Sequence, residues 1–185
     1  NTTYLAPGEG ETVFSVSASP IKFGVEESRV LAAFGAAAAA GFAPVGLHQH
    51  LGSGWVAEDY PAVAEAVDRM AAKAAEVEAA GFGLSFVDFG GGFGPRYSVE
   101  HSLVPLERYA RRIDRAVRAA GVRAPRLLVE PGKFLVADAG ALLLGVSYVK
   151  TSYGNVFACL DGGTFNTVPR PAIYAQAYHH VVNAS

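Results

Sequence analysis

Three short motifs, spaced about 40 residues apart, carry the side chains of this 185-residue chain best suited to chemistry. They are His48-Gln49-His50-Leu51-Gly52-Ser53, Phe89-Gly90-Gly91-Gly92-Phe93-Gly94 and Glu130-Pro131-Gly132-Lys133. Together they offer an aromatic face, a hydroxyl, a run of bare backbone and a carboxylate. Gly90, Gly91 and Gly92 let several N–H groups approach one anion, although a tight strand-to-loop turn uses the same residues. Ser53, next to glycine, is a phosphate donor or ordinary turn chemistry. His50 is a face for a flat ligand, a general base, or a core histidine satisfied by a carbonyl. Glu130 directly follows the apolar run Leu127-Leu128-Val129, which puts its carboxylate at the mouth of a sheet rather than out in water. There it can pair with a protonated ring nitrogen or form a salt bridge with a nearby arginine. Lys133 is an anion-binding cation or a solvated lysine. Taken as a set, the residues suit a phosphorylated, protonatable heterocycle.

Other polar groups carry less. His48 and His50 are two apart, so on a strand they share a face, but the sequence offers no third ligand cluster and no metal centre is expected. Cys159, inside an apolar run, reads as a small buried hydrophobe. His179 and His180 read as structural, and Lys22 before Phe23-Gly24 as more often exposed than functional.

These motifs must be positioned by alternating strands and helices. Residues 13–18 alternate apolar and small polar types like a strand, and residues 26–40 read as a helix stopped by Gly41. A strand over 45–51 precedes a helix that Pro61 starts and Gly81 ends. A strand over 84–89, a helix from Pro105 to Gly121 and a strand over 126–129 repeat the pattern. The order predicts a parallel sheet with crossover helices, either doubly wound or part of a (β/α)8 barrel. Ligands in both architectures sit where the strands end, and all three motifs fall there. A whole barrel takes about 250 residues, so this chain holds only part of one. After Gly140, two β-rich runs (142–150 and 156–160) flank Ser152-Tyr153-Gly154 with no helix between, which predicts a hairpin. The expected organisation is a partial barrel over 1–140 and the beginning of a β-rich domain over 141–185.

Composition narrows the partners. With 51% hydrophobic and 17% charged residues the chain belongs among globular proteins. Its 15 basic and 17 acidic residues are scattered, which gives no footprint for nucleic acid or an anionic membrane. The longest apolar stretch, 31–46, is shorter than a bilayer span and interrupted by Gly35, Gly41 and Pro44. One cysteine cannot form an internal disulfide, and no charged start leads into an apolar core, so a cytoplasmic protein with a small-molecule partner is expected.

Six motifs in order resemble the diaminopimelate decarboxylase family, the fold-type III pyridoxal-phosphate enzymes that include ornithine and arginine decarboxylases. They are Ile21-Lys22-Phe23-Gly24-Val25, the stretch from Gly46 to Ser53, Asp88-Phe89-Gly90-Gly91-Gly92-Phe93, Glu130-Pro131-Gly132-Lys133, Asp161-Gly162-Gly163 and Arg170-Pro171-Ala172-Ile173-Tyr174. The resemblance covers about residues 13–180. It implies the later strands of an alanine-racemase-type barrel passing into an antiparallel β domain. His50 matches the histidine that stacks on the cofactor ring, Ser53 and Gly90, Gly91 and Gly92 match the phosphate site, and Glu130 matches the partner of the pyridine nitrogen. Arg170 and Tyr174 match residues that contact substrate or phosphate, Asp161 falls near the substrate pocket, and Lys133 stands where substrate contacts are expected. The implied reaction is loss of carbon dioxide from an amino acid joined to pyridoxal 5'-phosphate, whose ring takes up the electrons. A homodimer with active sites at the subunit interface is implied as well.

Departures from the family pattern are informative. The lysine that carries the cofactor lies on an earlier strand that this chain does not provide, and the expected Cys-Glu motif is absent, since Cys159 precedes Leu160 and Asp161. An internal piece of a longer enzyme, inactive alone, is therefore expected. Lys133 replaces the usual arginine and loses its two-pronged grip, which points to a substrate other than diaminopimelate and to a specialised pathway. Two rivals remain: a racemase or epimerase on the same barrel, disfavoured because family racemases tend to put arginine at the ring nitrogen, and a non-catalytic half-barrel that binds a phosphorylated ligand.

Overall fold

The structure, a computed structural model, describes residues 2–3, 24–95, 102–163 and 181–183. The chain divides into two compact units, Asn1–Leu135 and Val136–Ser185. The strand expected over 13–18, Lys22, His179 and His180 lie outside the described residues.

In the first unit, helix boundaries follow apolar spacing and glycine. A 3-10 turn, Glu27–Arg29, leads into α1 (Val30–Ala39), which buries Val30 and Phe34 one turn apart. The expected helix start at 26 is thus a tighter turn, satisfied by an Arg29 N–H bond to the Glu26 carbonyl at 2.8 Å. α2 (Tyr60–Ala79) has Pro61 in its first turn, where a missing N–H leaves no helix bond unmade. Its Val63, Val67, Met70, Ala74 and Val77 recur at three and four residues and are all buried. Gly81 follows at φ 92°, and Phe82 N–H reaches the Val77 carbonyl at 3.3 Å, so the last turn closes without a Cβ clash. α3 (Leu106–Ala120) buries Tyr109, Ile113, Ala116 and Val117 and ends at Gly121.

The strands β1 (Thr2–Thr3), β2 (Gly46–His50), β3 (Phe86–Gly91) and β4 (Leu127–Glu130) form one parallel sheet in the order β1-β2-β3-β4. A doubly wound sheet reverses its strand order at a switch point, whereas a barrel wall does not. Of the two architectures open to the sequence, the consecutive order of the described strands is that of the barrel. Leu47, Val87 and Phe89 join the α2 and α3 side chains in one core with Trp55, and Trp55, Val87 and Phe89 are wholly excluded from solvent.

The second unit is a hairpin. β5 (Val146–Ser152) and β6 (Asn155–Leu160) pair antiparallel around Tyr153 (φ 45°) and Gly154 (φ 78°). Positive φ at both turn residues matches the right-handed twist of the strands. The first strand begins at Val146 rather than at the expected 142, and residues 142–145 are coil, largely exposed. Cys159 corrects an expectation: it is only partly buried, because the hairpin is two-stranded and its faces are open. It lies opposite Tyr148, and their hydrogen bond raises the phenol above its ordinary value. Among the described residues no helix is long and apolar enough to cross a membrane.

Candidate functional site

Alternation along β2 divides its side chains between two environments. Leu47 and Gln49 point into the core, while His48 and His50 share the other, partly open face. His48 faces Asp88 directly in register across β2 and β3, and its Nδ1 lies 3.2 Å from Asp88 Oδ2. The His50 side chain makes no hydrogen bond or ion pair among the described residues.

A bulge brings the third strand to this pair. Asp88 faces Leu128 but Gly91 faces Glu130, so three steps along β3 oppose two along β4. Gly90, at φ 71°, sits in the extra step, where a side chain would be strained. Glu130 ends β4 on the same face as His48, with Oε2 at 3.9 Å from His48 Nδ1. The Glu130 side chain is 54% exposed, against 11% for Asp88. It thus stands further into solvent than its apolar run predicts, because β4 is uncovered. Among the described residues the group that faces it is the His48 imidazole, not the arginine of the salt-bridge alternative.

Asp88 is held from both sides. Its Oδ1 accepts the Gly90 N–H at 2.9 Å while Oδ2 faces His48. Tyr109, whose phenol burial pushes far above its ordinary value with a further contribution from Asp88, stays neutral and donates to the Phe89 carbonyl at 3.4 Å. Ligand atoms of His48, Asp88 and Glu130 all lie within 4.8 Å of one another. The sequence offered His48 only His50 as a metal-binding companion. The fold instead gives it two carboxylates, a donor set of the kind a divalent cation accepts, and leaves His50 out.

The glycine triplet is packed from behind by backbone. A Cβ at Gly90, Gly91 or Gly92 would meet the carbonyl oxygens of Gln49, Glu130 and Gly52 at 2.2, 1.8 and 2.2 Å respectively. The Gly92 carbonyl accepts the N–H groups of Gly54 (2.7 Å) and Trp55 (3.0 Å), and the Trp55 indole donates to the Gly91 carbonyl at 2.9 Å. Residues 52–55 are thereby stapled to the turn, with Ser53 between two glycines that touch it. Lys133, which follows β4, reaches across to donate to Ser53 Oγ at 2.8 Å.

The fold therefore gathers His50, Ser53, Gly90, Gly91, Gly92, Glu130 and Lys133 at the carboxyl ends of β2, β3 and β4. Asp161 lies in the second unit, where its carboxylate accepts the Gly145 N–H at 2.8 Å and closes the base of the hairpin. Arg170 and Tyr174 lie outside the described residues. Sequence reasoning assigned no role to Asp88 or Trp55. Asp88 stood beside the glycine motif, but the predicted bounds of the two strands, 45–51 and 84–89, do not give the register that places it opposite His48.

A family model described as pyridoxal-dependent decarboxylase, pyridoxal binding domain, matches residues 7–137. The diaminopimelate decarboxylase of Methanothermobacter thermautotrophicus is 38% identical over an alignment of 168 residues that covers 88% of this chain and 38% of that protein. The crystal structure of diaminopimelate decarboxylase from Helicobacter pylori complexed with L-lysine superposes with a TM-score of 0.72 at 35% identity, covering 83% of this chain and 37% of that one. A further diaminopimelate decarboxylase crystal structure gives a TM-score of 0.76 at 29% identity over 97% of this chain and 42% of its own. The chain thus spans about two fifths of the length of the relatives it matches.

Proposed function

We propose, from the premise that this chain belongs to the pyridoxal-dependent decarboxylase family through its pyridoxal-binding domain, that it is the cofactor-holding part of an enzyme that decarboxylates an amino acid. The residues fit pyridoxal phosphate by their donor chemistry. Ser53 Oγ puts a hydroxyl beside the glycine turn, where a phosphate binds, and Lys133 Nζ, 2.8 Å from it, sets a cation next to that site for an anionic substrate group. His50 offers a ring that no side chain among the described residues engages, and Glu130 an acceptor for a ring N–H.

When bound, the cofactor supplies an electron sink for the pair left by departing carbon dioxide. Glu130 holds a proton on the ring nitrogen and keeps the ring cationic. His50 covers one ring face and fixes its plane. Ser53 and the backbone of Gly91 and Gly92 bind the phosphate; Gly90 acts through the bulge, since its N–H is given to Asp88. Lys133, Asp161, Arg170 and Tyr174 are the proposed substrate contacts. Lysine at 133 carries charge without arginine's planar fork, which favours a substrate other than diaminopimelate. A cytoplasmic homodimer completes the reading, supported by the family resemblance and the single cysteine.

The observation that carries the reading is Glu130 at the end of β4, on the face of His50, with Oε2 3.9 Å from His48 Nδ1. The test uses the full-length protein loaded with pyridoxal phosphate and supplied with diaminopimelate, lysine, ornithine and arginine. Glu130→Gln should lower kcat for carbon dioxide release on the order of 100-fold, the scale of losing a charge aimed at the reacting centre. Unchanged turnover would sink the electron-sink assignment. Racemised amino acid with no carbon dioxide would replace decarboxylation by the racemase reading.

A further inference from the structure

We propose that His48 is a positioning residue for Glu130: its Nδ1–H, set between the Asp88 and Glu130 carboxylates, keeps Glu130 aimed at the ring nitrogen. This rests on the reading of Glu130 given above and extends it to residues with no contact to the cofactor.

Chemistry fixes the direction of the hydrogen bond. Nδ1 faces Asp88 Oδ2 at 3.2 Å and Glu130 Oε2 at 3.9 Å, and ionised carboxylates only accept. The proton therefore resides on Nδ1, given mainly to Asp88 and also facing Glu130. Two carboxylate oxygens lie within 4.8 Å of each other here. Like charges that close repel, which favours swinging one of them away. Glu130, at 54% exposed, is the member free to swing. The positive edge of His48 offsets that repulsion.

The chain of contacts has a rigid end and a loose one. Asp88 is 11% exposed and anchored by the Gly90 N–H at 2.9 Å, so its position follows the bulge. His48 is 28% exposed and registered opposite Asp88 on β2. Position passes from the buried glycine turn through Asp88 and the imidazole to the exposed carboxylate. Such supporting contacts set orientation and basicity wherever a functional side chain would otherwise rotate freely.

The experiment uses full-length enzyme loaded with pyridoxal phosphate labelled with 15N in the ring, and reads both kcat and the ring-nitrogen chemical shift. Asn places an N–H near the former Nδ1, whereas Gln places it near the former Nε2. His48→Phe should lower kcat about 10- to 100-fold, the cost of a hydrogen bond to a charged group, and move the 15N signal as Glu130→Gln does. His48→Asn should recover most of both changes and His48→Gln should not. Equal behaviour of Asn and Gln overturns the proposal, and that pair carries the comparison alone if the Phe variant does not fold. A 15N signal unmoved by His48→Phe but moved by Glu130→Gln also overturns it, while the role of Glu130 stands. A signal unmoved by Glu130→Gln removes the reading beneath it. Loss of activity on chelation, restored by a divalent cation, overturns it in favour of a metal held by the same three residues.

Discussion

β3 and β4 are neighbours in one sheet, and both read in sequence as apolar runs ending in functional residues. In β3, Val87 and Phe89 have no exposed surface; in β4, Leu127, Leu128 and Val129 remain 39–46% exposed. An apolar run predicts a strand, but burial requires a second layer. α2 and α3 supply that layer over β2 and β3. The site straddles the contrast, since Asp88 belongs to the sealed strand and Glu130 to the open one. Rigid support is thus built where the core is, and the group that meets the ligand is placed where solvent still reaches.

The contrast breaks most sharply at Phe89. Phe89→Ala should cost about 3–5 kcal/mol in urea unfolding, the range for emptying a sealed aromatic site. A loss under about 1 kcal/mol would mean that β3 is not sealed. An intermediate effect is expected at Tyr109, which braces β3 from α3. Tyr109→Phe should cost about 1 kcal/mol near neutrality, for one hydrogen bond. Its clearer signature is at high pH. Burial holds the phenol well above its ordinary value, so the native state keeps a proton that the unfolded chain releases near pH 10. Above about pH 10 the unfolded state therefore binds fewer protons, and stability falls as pH rises. Tyr109→Phe should flatten that alkaline decline, and an unchanged slope would place the phenol in water. The smallest effect belongs to β4: Leu128→Ala should stay within about 0.5 kcal/mol, as at other exposed sites. A cost like that of Phe89 would show that β4 is covered.

What sequence revealed follows the same division. The spacing of Val63, Val67, Met70, Ala74 and Val77 was enough to place α2, because a helix face is a local property. Gly41, Gly81 and Gly121 marked helix ends for the same reason. The bulge at Gly90 was not legible, since it exists only as a mismatch between β3 and a strand 40 residues later. Asp88 was passed over because its role depends on standing opposite His48. Glu130 was expected in a more sheltered place, and Cys159 in a core, because apolar neighbours in sequence do not show whether another layer lies above them.

The backbone packed behind Gly90, Gly91 and Gly92 has a consequence for reading tolerance maps. At Gly91 even a methyl group would overlap the Glu130 carbonyl, 1.8 Å from where it would sit. A saturation scan would find this turn as intolerant as a catalytic residue, with or without any ligand. Intolerance there measures how closely three strands approach, and the carboxylate of Glu130 keeps its depth in the site because its neighbour has no side chain.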